Sequence, residues 1–323
     1  MPIELVIGAG DWGLKTPQDE EAFTTAIRKY KSIIKTIDTA ALHPLSMPGA
    51  SEKAVGEGAY ANDGFLINTK ALFTFEGGCY TTEGVEKSVT QSLQSLKIPK
   101  INVLYTHAPD KKTPVSEQAI AFDKEYQKGH FTSLGAANLD AKMLQEWINI
   151  SKEDGYISPT VYQGQYNLLC RAHEAETFPA VRQNGMIFVA YSPLAGGFLS
   201  GLPTFSSPSE LVGTRFEHVE TTANYGPFYR VWYDKESMHS AIRELKGKSD
   251  GHGIGLPEVA IRWLVHHSAL QDGDAIIIGP QNVEELEKYV EAYKAGPLPA
   301  ELVDGIEEVQ EMVKEDAESI VRF

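Results

Sequence analysis

Eight short apolar runs, each bounded by turn residues and most followed by a segment of helical periodicity, constrain this chain more than any other feature. The runs cover residues 5–8, 36–40, 65–70, 101–107, 131–136, 160–163, 186–192 and 275–279. Between them, segments such as 18–31, 82–96, 141–151 and 259–270 carry apolar residues at helical spacing with charged residues elsewhere. Such alternation is the pattern of consecutive βα units around a parallel sheet. Eight units in one chain favour a closed α/β barrel of the (β/α)8, or TIM, type, although an open doubly wound sheet has the same local pattern. With 323 residues, 42% of them hydrophobic, residues 1–323 are expected to form one barrel domain. No internal repeat or low-complexity tract interrupts it.

One connection is much longer than the rest. From about residue 196 to 234 the chain runs between the seventh strand and the next clear helix, and it is unusually aromatic: Phe198, Phe205, Phe216, Tyr225, Phe228, Tyr229, Trp232 and Tyr233. A loop in that position would lie over the face where barrel enzymes bind substrate. The alternative is a self-packed loop that only covers the barrel end.

Charge and cysteine content narrow the partners. The formal charge of −15, from 44 acidic and 29 basic residues, repels nucleic-acid phosphates and anionic lipid surfaces, so a small organic molecule is the expected partner. Cys79 and Cys170 lie far apart with no CxxC or Cys/His ligand spacing, which indicates neither a disulfide framework nor a structural zinc and suits a reducing, cytoplasmic setting. No secretory signal and no membrane-length apolar stretch is read, and no metal site is expected. The oligomeric state is not legible.

Buried strands should finish apolar, yet three of these carry an ionisable residue at or near the carboxyl end: Asp38 in TIDTA, Lys70 in INTKAL and His107 in LYTHAP. Barrel chemistry is assembled at that end. A carboxylate beside a lysine keeps both charged in a partly buried site, and the ammonium lowers the pKa of a neighbouring proton donor. Each residue taken singly is more often a structural ion pair, but three converging on one rim point to a site.

These residues sit in a longer series of motifs. IDTAALHP followed by SEKAVG, then INTKAL, LYTHAPD, LGAAN, VYQGQYNLL, YSPLAGGFLSG and IIIGPQNVEELE occur in that order along nearly the whole chain. The series resembles the aldo-keto reductases, most closely the branch of aflatoxin-aldehyde reductases and potassium-channel β-subunits. The resemblance implies a (β/α)8 barrel, usually NADPH as cofactor, and hydride transfer to an aldehyde or ketone. It assigns the family's catalytic aspartate, lysine and histidine to Asp38, Lys70 and His107. The fourth member should be a tyrosine five residues after the aspartate, and that position is His43. The adjacent Lys70 ammonium would depress the pKa of His43 and reduce its charged fraction near neutrality. His43 therefore reads as an acid, a base or an inert loop residue, with Tyr60 as a phenol that could reach inward instead.

For the cofactor, the resemblance gives Asn138 and Gln163 to the nicotinamide carboxamide, Tyr191 to its ring, and Ser192, Leu194 and Gly196 to the pyrophosphate. Asn282 is among the nucleotide-side residues, and Arg215 in VGTRF retains one phosphate contact. Other positions depart from the family. Leu202 replaces a lysine, Gln281 a serine that meets the adenosine 2′-phosphate, Glu285 a glutamine and Tyr289 an asparagine. Losing a lysine and gaining a carboxylate both disfavour a phosphate monoester, which leaves NADPH, NADH and no cofactor open.

Three motifs are set aside. His266 and His267, adjacent on one helix, point in different directions rather than at one metal. GAGDWG lacks the strand-to-helix GxGxxG arrangement of a dinucleotide fold. The acidic run 307–318 reads as a solvated helix face. Three functions follow from the remainder. The first is an NAD(P)H-dependent reductase of a bulky apolar or aromatic aldehyde or ketone, with His43 in place of tyrosine. By resemblance, His107 favours carbonyl over carbon–carbon double-bond reduction, since double-bond reducers on this scaffold carry glutamate there. The second is a non-redox isomerase, cyclase or dehydratase using the same groups for acid–base chemistry. The third is a catalytically idle binding subunit.

Overall fold

The structure is a computed structural model that describes residues 2–14, 17–217 and 225–320. Its centre is a closed barrel of eight parallel strands in sequence order: β1 (Glu4–Gly8), β2 (Ile34–Asp38), β3 (Leu66–Lys70), β4 (Ile101–Tyr105), β5 (Phe131–Ala137), β6 (Pro159–Gln165), β7 (Ile187–Tyr191) and β8 (Ala275–Ile278). The closure is made by β1 against β8, with Glu4 to Ile7 in register with Ala275 to Ile278. All eight expected strands are present, so the closed barrel holds and the open sheet does not. Two ends differ in a way that matters for the site. β2 stops at Asp38 rather than residue 40, because the chain turns at Ala40 to accept the His43 N–H at 3.0 Å. β4 stops at Tyr105 rather than residue 107, where the His107 N–H leaves the sheet for the Tyr80 hydroxyl at 2.7 Å.

Helices surround the strands: α1 (Pro17–Lys29), α2 (Ala50–Glu57), α3 (Thr82–Leu96), α4 (Val115–Gln127), α5 (Ala141–Asp154) and α6 (Thr177–Gln183) precede β7. After it come α7 (Leu202–Phe205), α8 (Gly226–Tyr233), α9 (Glu236–Asp250) and α10 (Leu256–His266), then α11 (Val283–Lys294) and α12 (Ala300–Ala317) beyond β8. Side-chain caps start several of them, with Thr81 accepting from Gly84 N–H, Asp140 from Met143 N–H and Asn282 from Glu285 N–H. The helix expected over 259–270 is shifted to Leu256–His266, since Pro257 starts it earlier and the backbone leaves helical geometry at His267.

Two apolar layers result. Aliphatic and aromatic residues fill the shell between strands and helices, and a smaller cluster of Val6, Val103, Tyr105, Val161, Val189, Ala275 and Ile277 plugs the barrel interior. Tyr105 enters the interior only because β5 has Gly135 beside it, where a side-chain carbon would meet the tyrosine ring at 2.2 Å. Among the described residues no helix is long and apolar enough to cross a membrane.

The long connection after β7 is more ordered than its sequence suggests. It contains 3-10 turns at Ala195–Ser200 and Pro208–Leu211 as well as α7 and α8; its stretch 218–224 lies outside the described residues. The excluded motifs also find places. His266 donates its Nε2–H to the Ala295 carbonyl (2.8 Å), and His267 accepts the Leu298 N–H (2.9 Å), so both tie α10 to the segment before α12. Within the acidic run, Glu307 pairs with Arg171, Glu308 with Lys248 and Asp316 with Lys235, so the α12 surface is partly ion-paired rather than simply solvated.

Candidate active site

Three strands carry the floor of the site. Asp38 is the last residue of β2, Lys70 the last of β3, and Gln163 lies in β6. Parallel pairing brings their carboxyl ends to one rim. The Lys70 ammonium contacts Asp38 Oδ1 and donates to the Thr39 carbonyl at 2.9 Å, while Gln163 Nε2 donates to Asp38 Oδ2 at 3.0 Å. All three side chains are buried, with 5% or less of each residue exposed. A buried ion pair is tolerable when extra hydrogen bonds satisfy its remaining sites, and here a main-chain carbonyl and an amide do so. Lys70 Nζ also lies 5.7 Å from the centre of the Tyr105 ring.

Two histidines form the roof. His43 sits on the turn between β2 and α2, where its carbonyl accepts the Ser51 N–H at 3.2 Å. Ser51 Oγ donates to the Ala9 carbonyl at 2.5 Å and accepts from Thr39 Oγ1 at 2.5 Å, which clamps the turn to β1 and β2. Glu52 accepts from Thr69 Oγ1 at 2.6 Å and joins the turn to β3. The SEKAVG motif therefore fixes the position of His43. His107, just past β4, faces it with ring centres 5.1 Å apart and planes 80° to one another. Nδ1 of each ring is buried without a hydrogen-bond partner.

Burial pushes the pKa of His43 well below the usual histidine value, with the Lys70 and Arg215 charges adding to the effect. Burial likewise lowers that of His107, helped by His43 and Lys70. The sequence argument had the direction right for His43 but named only Lys70; desolvation is the larger cause. Near neutrality both rings are uncharged, each with one N–H and one lone pair.

Next to the histidines lie residues expected to hold a nicotinamide. Asn138, in a left-handed conformation with φ 61°, donates from Nδ2 to the His107 carbonyl at 2.9 Å and accepts from the Tyr191 hydroxyl at 2.9 Å. Ser192 (φ 55°) shares a 2.6 Å hydrogen bond with the Tyr229 hydroxyl. Leu194 is buried and its carbonyl accepts from Gly197 and Leu199. Gly196, at φ 69°, lies against Tyr229, whose ring a side-chain carbon would strike at 2.2 Å.

Several residues fall elsewhere. Arg215 pairs with the Asp11 carboxylate at 2.9 Å, and its guanidinium lies 4.9 Å from the centre of the Tyr229 ring. Its charge reaches His43, so it belongs to the roof. Tyr60 does not reach inward: its hydroxyl bonds Thr24 Oγ1 at 2.7 Å and its ring packs on Trp12 and Phe65, outside the barrel. Gln281 and Asn282 open α11, where Gln281 N–H donates to the Glu285 carboxylate at 2.8 Å and Asn282 accepts the Glu285 N–H at 2.9 Å. Leu202 is the exposed first residue of α7.

Sequence reasoning missed Asp11, Tyr225 and Tyr229 as neighbours of the site. Asp11 offered the same signal as the others, an ionisable group just beyond a strand, but lay in a motif set aside for other reasons. Tyr225 and Tyr229 were two of eight aromatic residues in one loop, and nothing local separates them from Phe205 or Trp232. In the structure the Tyr225 ring stands edge-on to His43 at 5.8 Å. Phe228 stacks against Phe75 of the β3–α3 loop, with centres 6.1 Å apart and planes 10° from parallel, and both rings are substantially exposed, at 39% and 61%.

A buried Lys–Asp pair and two uncharged histidines at the carboxyl rim of a closed parallel barrel bring together groups that can hold charge and exchange protons, the arrangement a barrel enzyme's site requires. Comparison with known proteins narrows the class. The model of the aldo/keto reductase family matches residues 4–311, and this chain belongs to that family. It is 32% identical to human aflatoxin B1 aldehyde reductase member 2 across 98% of this chain and 89% of that protein. It is 34% identical to human aldo-keto reductase family 7 member A3 across 79% and 78%, and 31% identical to oxidoreductase sirO of Leptosphaeria maculans across 88% and 84%. The chain is thus an aldo-keto-reductase-type oxidoreductase of carbonyl chemistry.

Proposed function

We propose that this protein is an NAD(P)H-dependent reductase of an aldehyde or ketone bearing a bulky apolar or aromatic group, with His43 standing in for the family's tyrosine. The observation that carries the reading is the buried Asp38–Lys70 pair beside the uncharged rings of His43 and His107. When bound, a reduced nicotinamide supplies the hydride for the carbonyl carbon. Asp38 and Gln163 hold Lys70 in place, and its ammonium stabilises negative charge developing on the substrate oxygen. His107 orients the carbonyl, and His43 hands a proton to its oxygen. The exposed, near-parallel rings of Phe75 and Phe228 offer a surface for an apolar or planar substituent.

The residues present fit a nicotinamide. Asn138 bonds the His107 carbonyl and the Tyr191 hydroxyl, and Gln163 the Asp38 carboxylate, so amide and phenol groups gather at the rim, and the backbone beyond β7 turns through positive φ at Ser192, Ala195, Gly196 and Gly197, with open space beside Gly197 and Gly279. Asn138, Gln163 and Tyr191 would hold the nicotinamide end, Ser192, Leu194 and Gly196 the pyrophosphate, and Gln281 and Asn282 the adenosine end. The adenosine end suits a 2′-phosphate poorly, because the Glu285 carboxylate already occupies the Gln281 N–H at the start of α11. Weakened discrimination for NADPH over NADH follows.

The whole chain is read as one barrel, and the described parts of the long aromatic connection, 196–217 and 225–234, bring Tyr225 and Phe228 beside the site. The acidic surface favours small organic ligands over nucleic acid or membrane, and the free thiols of Cys79 and Cys170 suit the cytoplasm. Titrating the purified protein with NADPH and NADH at fixed salt, read by nicotinamide fluorescence, tests the assignment. Saturable binding of both with similar dissociation constants is expected; binding of neither contradicts it, and turnover that needs no nucleotide would favour acid–base chemistry alone.

A further inference from the structure

His107 is held by its main chain rather than through its ring. Its N–H donates to the Tyr80 hydroxyl at 2.7 Å and its carbonyl accepts from Asn138 Nδ2 at 2.9 Å, so two side chains stand where strand partners would. Nδ1 of the ring is buried without a partner. An imidazole that orients a substrate needs a fixed place, commonly set by a hydrogen bond at its second nitrogen. Here the main chain must set it.

The Asn138 side of this grip belongs to the residues read as holding nicotinamide, and the Tyr80 side leads away from them. Tyr80 is fully buried in the connection between β3 and α3, with its ring edge-on to Phe122 at 5.5 Å and Phe122 packed in turn on Trp147 at 5.7 Å. Burial pushes its phenol well above the ordinary pKa, so the group that meets His107 stays a hydroxyl. The other end of the residue is held as well, since the Tyr80 N–H donates to Asp110 Oδ2 at 3.0 Å.

Asp110, three residues beyond His107, is only 1% exposed. Its carboxylate accepts from five uncharged donors: the N–H groups of Gly78, Tyr80, Lys112 and Thr113 and the Thr113 hydroxyl. Burial pushes this carboxyl up, and those hydrogen bonds more than reverse the effect, holding it well below the usual carboxylate range. A buried anion satisfied in this way is a rigid point. Gly77 and Gly78, at φ 71° and 78°, let the chain wrap it, and a side-chain carbon on Gly77 would lie 3.1 Å from Oδ1. A closed circuit results: from the His107 N–H to the Tyr80 hydroxyl, along Tyr80 to its own N–H, to Asp110, and back along the chain to His107.

We propose that Tyr80, held by Asp110, is the positioning residue that sets His107 against the substrate carbonyl. The inference rests on the reductase reading. Tyr80 touches no reacting atom; it fixes one end of His107 while Asn138 fixes the other. Without the hydroxyl, the His107 N–H is left buried and unpaired, and the main chain there shifts toward another acceptor. A displacement of about 1 Å at a catalytic group costs up to about 10²-fold in rate. The carboxylate at 110 is needed because an amide has one accepting oxygen for five donors. Turned to keep Gly78, Lys112 and Thr113, it faces the Tyr80 N–H with a donor and opens the circuit.

The test uses the full chain with NADPH and 4-nitrobenzaldehyde. Tyr80→Phe should slow NADPH oxidation in a single turnover about 10-fold or more at saturating aldehyde, with the NADPH dissociation constant changed less than about twofold. Asp110→Asn should give a similar loss, and the double variant should lose no more than Tyr80→Phe alone, because both changes open one circuit. A second readout does not depend on turnover. Protein labelled with nitrogen-15 in its nine histidines gives a main-chain amide signal for each, and His107→Gln identifies that of His107. This amide should exchange slowly with solvent in the wild type and at least about 10-fold faster in Tyr80→Phe, with the other histidine amides unchanged. A folded Tyr80→Phe protein with an unchanged single-turnover rate, a freely exchanging wild-type His107 amide, or losses that multiply in the double variant overturns the positioning role alone. A wild-type protein that binds neither nucleotide and reduces no aldehyde overturns the reductase reading and the positioning role with it. Should one variant fail to fold, the other, together with the wild-type exchange rate, decides the matter.

Discussion

Asp38, Lys70 and Gln163 stand on barrel strands and are tied to one another, while His43, His107 and Tyr225 stand on loops and each keeps a buried atom with no partner. The floor spends its hydrogen bonds internally, which fixes the geometry and charge of the ammonium before any ligand arrives. The roof leaves lone pairs and donors unspent in a desolvated space, a condition proteins seldom keep unless a ligand or a reaction step completes it. The difference separates what the site holds constant from what it exchanges: charge below, protons above.

The comparison breaks most visibly at Lys70. Lys70→Met removes the only cation hydrogen-bonded to Asp38 among the described residues and should reduce turnover by about 10³-fold or more, with the fold checked by circular dichroism. Near-normal turnover in a folded variant would remove Lys70 from the mechanism. In the roof, His43→Phe should cost about 10²-fold in kcat, the usual scale for a lost proton donor, whereas His43→Tyr should preserve or raise carbonyl turnover. Steady-state rates at matched folded concentration distinguish them, and indifference to both changes would make His43 a loop residue.

A smaller effect is expected at the adenosine end, which belongs to neither tier. Glu285→Gln removes the carboxylate that caps Gln281 N–H and should shift the ratio of NADPH to NADH dissociation constants about tenfold toward NADPH, measured by fluorescence titration at constant salt. An unchanged ratio would place the 2′-phosphate away from α11. Smallest is the effect of acid on stability. His43 and His107 have folded-state pKa values depressed below their unfolded ones, so the unfolded chain binds more protons once the pH drops under about 6.5. The stability lost on acidification below that point should be less steep in His43→Phe, a difference of a few degrees in Tm by calorimetry. Parallel pH curves would show that His43 is not buried neutral.

How much of this was legible in the sequence follows the same division. Strands announce themselves through apolar runs, and polar residues that interrupt them near the carboxyl end stand out, which is how Asp38, Lys70 and His107 were found. Gln163 and Asn138 came by resemblance, and the structure puts them in contact with Asp38 and with His107 and Tyr191. Loop residues have no such background. The ion pair of Asp11 with Arg215 spans 204 positions of sequence, so neither residue signals the other. Arg215, expected at a phosphate, pairs here with the Asp11 carboxylate, a partner that its own sequence neighbourhood does not announce. Tyr60 was a candidate inward phenol, but its neighbours Trp12, Thr24 and Phe65 hold it outside the barrel.

The central claim, that the chain reduces carbonyls with a nicotinamide cofactor and a charged floor, is tested most directly by one stopped-flow comparison. Wild-type protein and Lys70→Met, each loaded with NADPH, are mixed with 4-nitrobenzaldehyde, and nicotinamide absorbance is followed through a single turnover. The wild type should oxidise the cofactor stoichiometrically with alcohol formed, and Lys70→Met should bind NADPH but leave it reduced on that timescale. Cofactor that stays reduced in the wild type over a panel of aromatic and aliphatic aldehydes and ketones, or is oxidised equally fast in both proteins, would contradict the account.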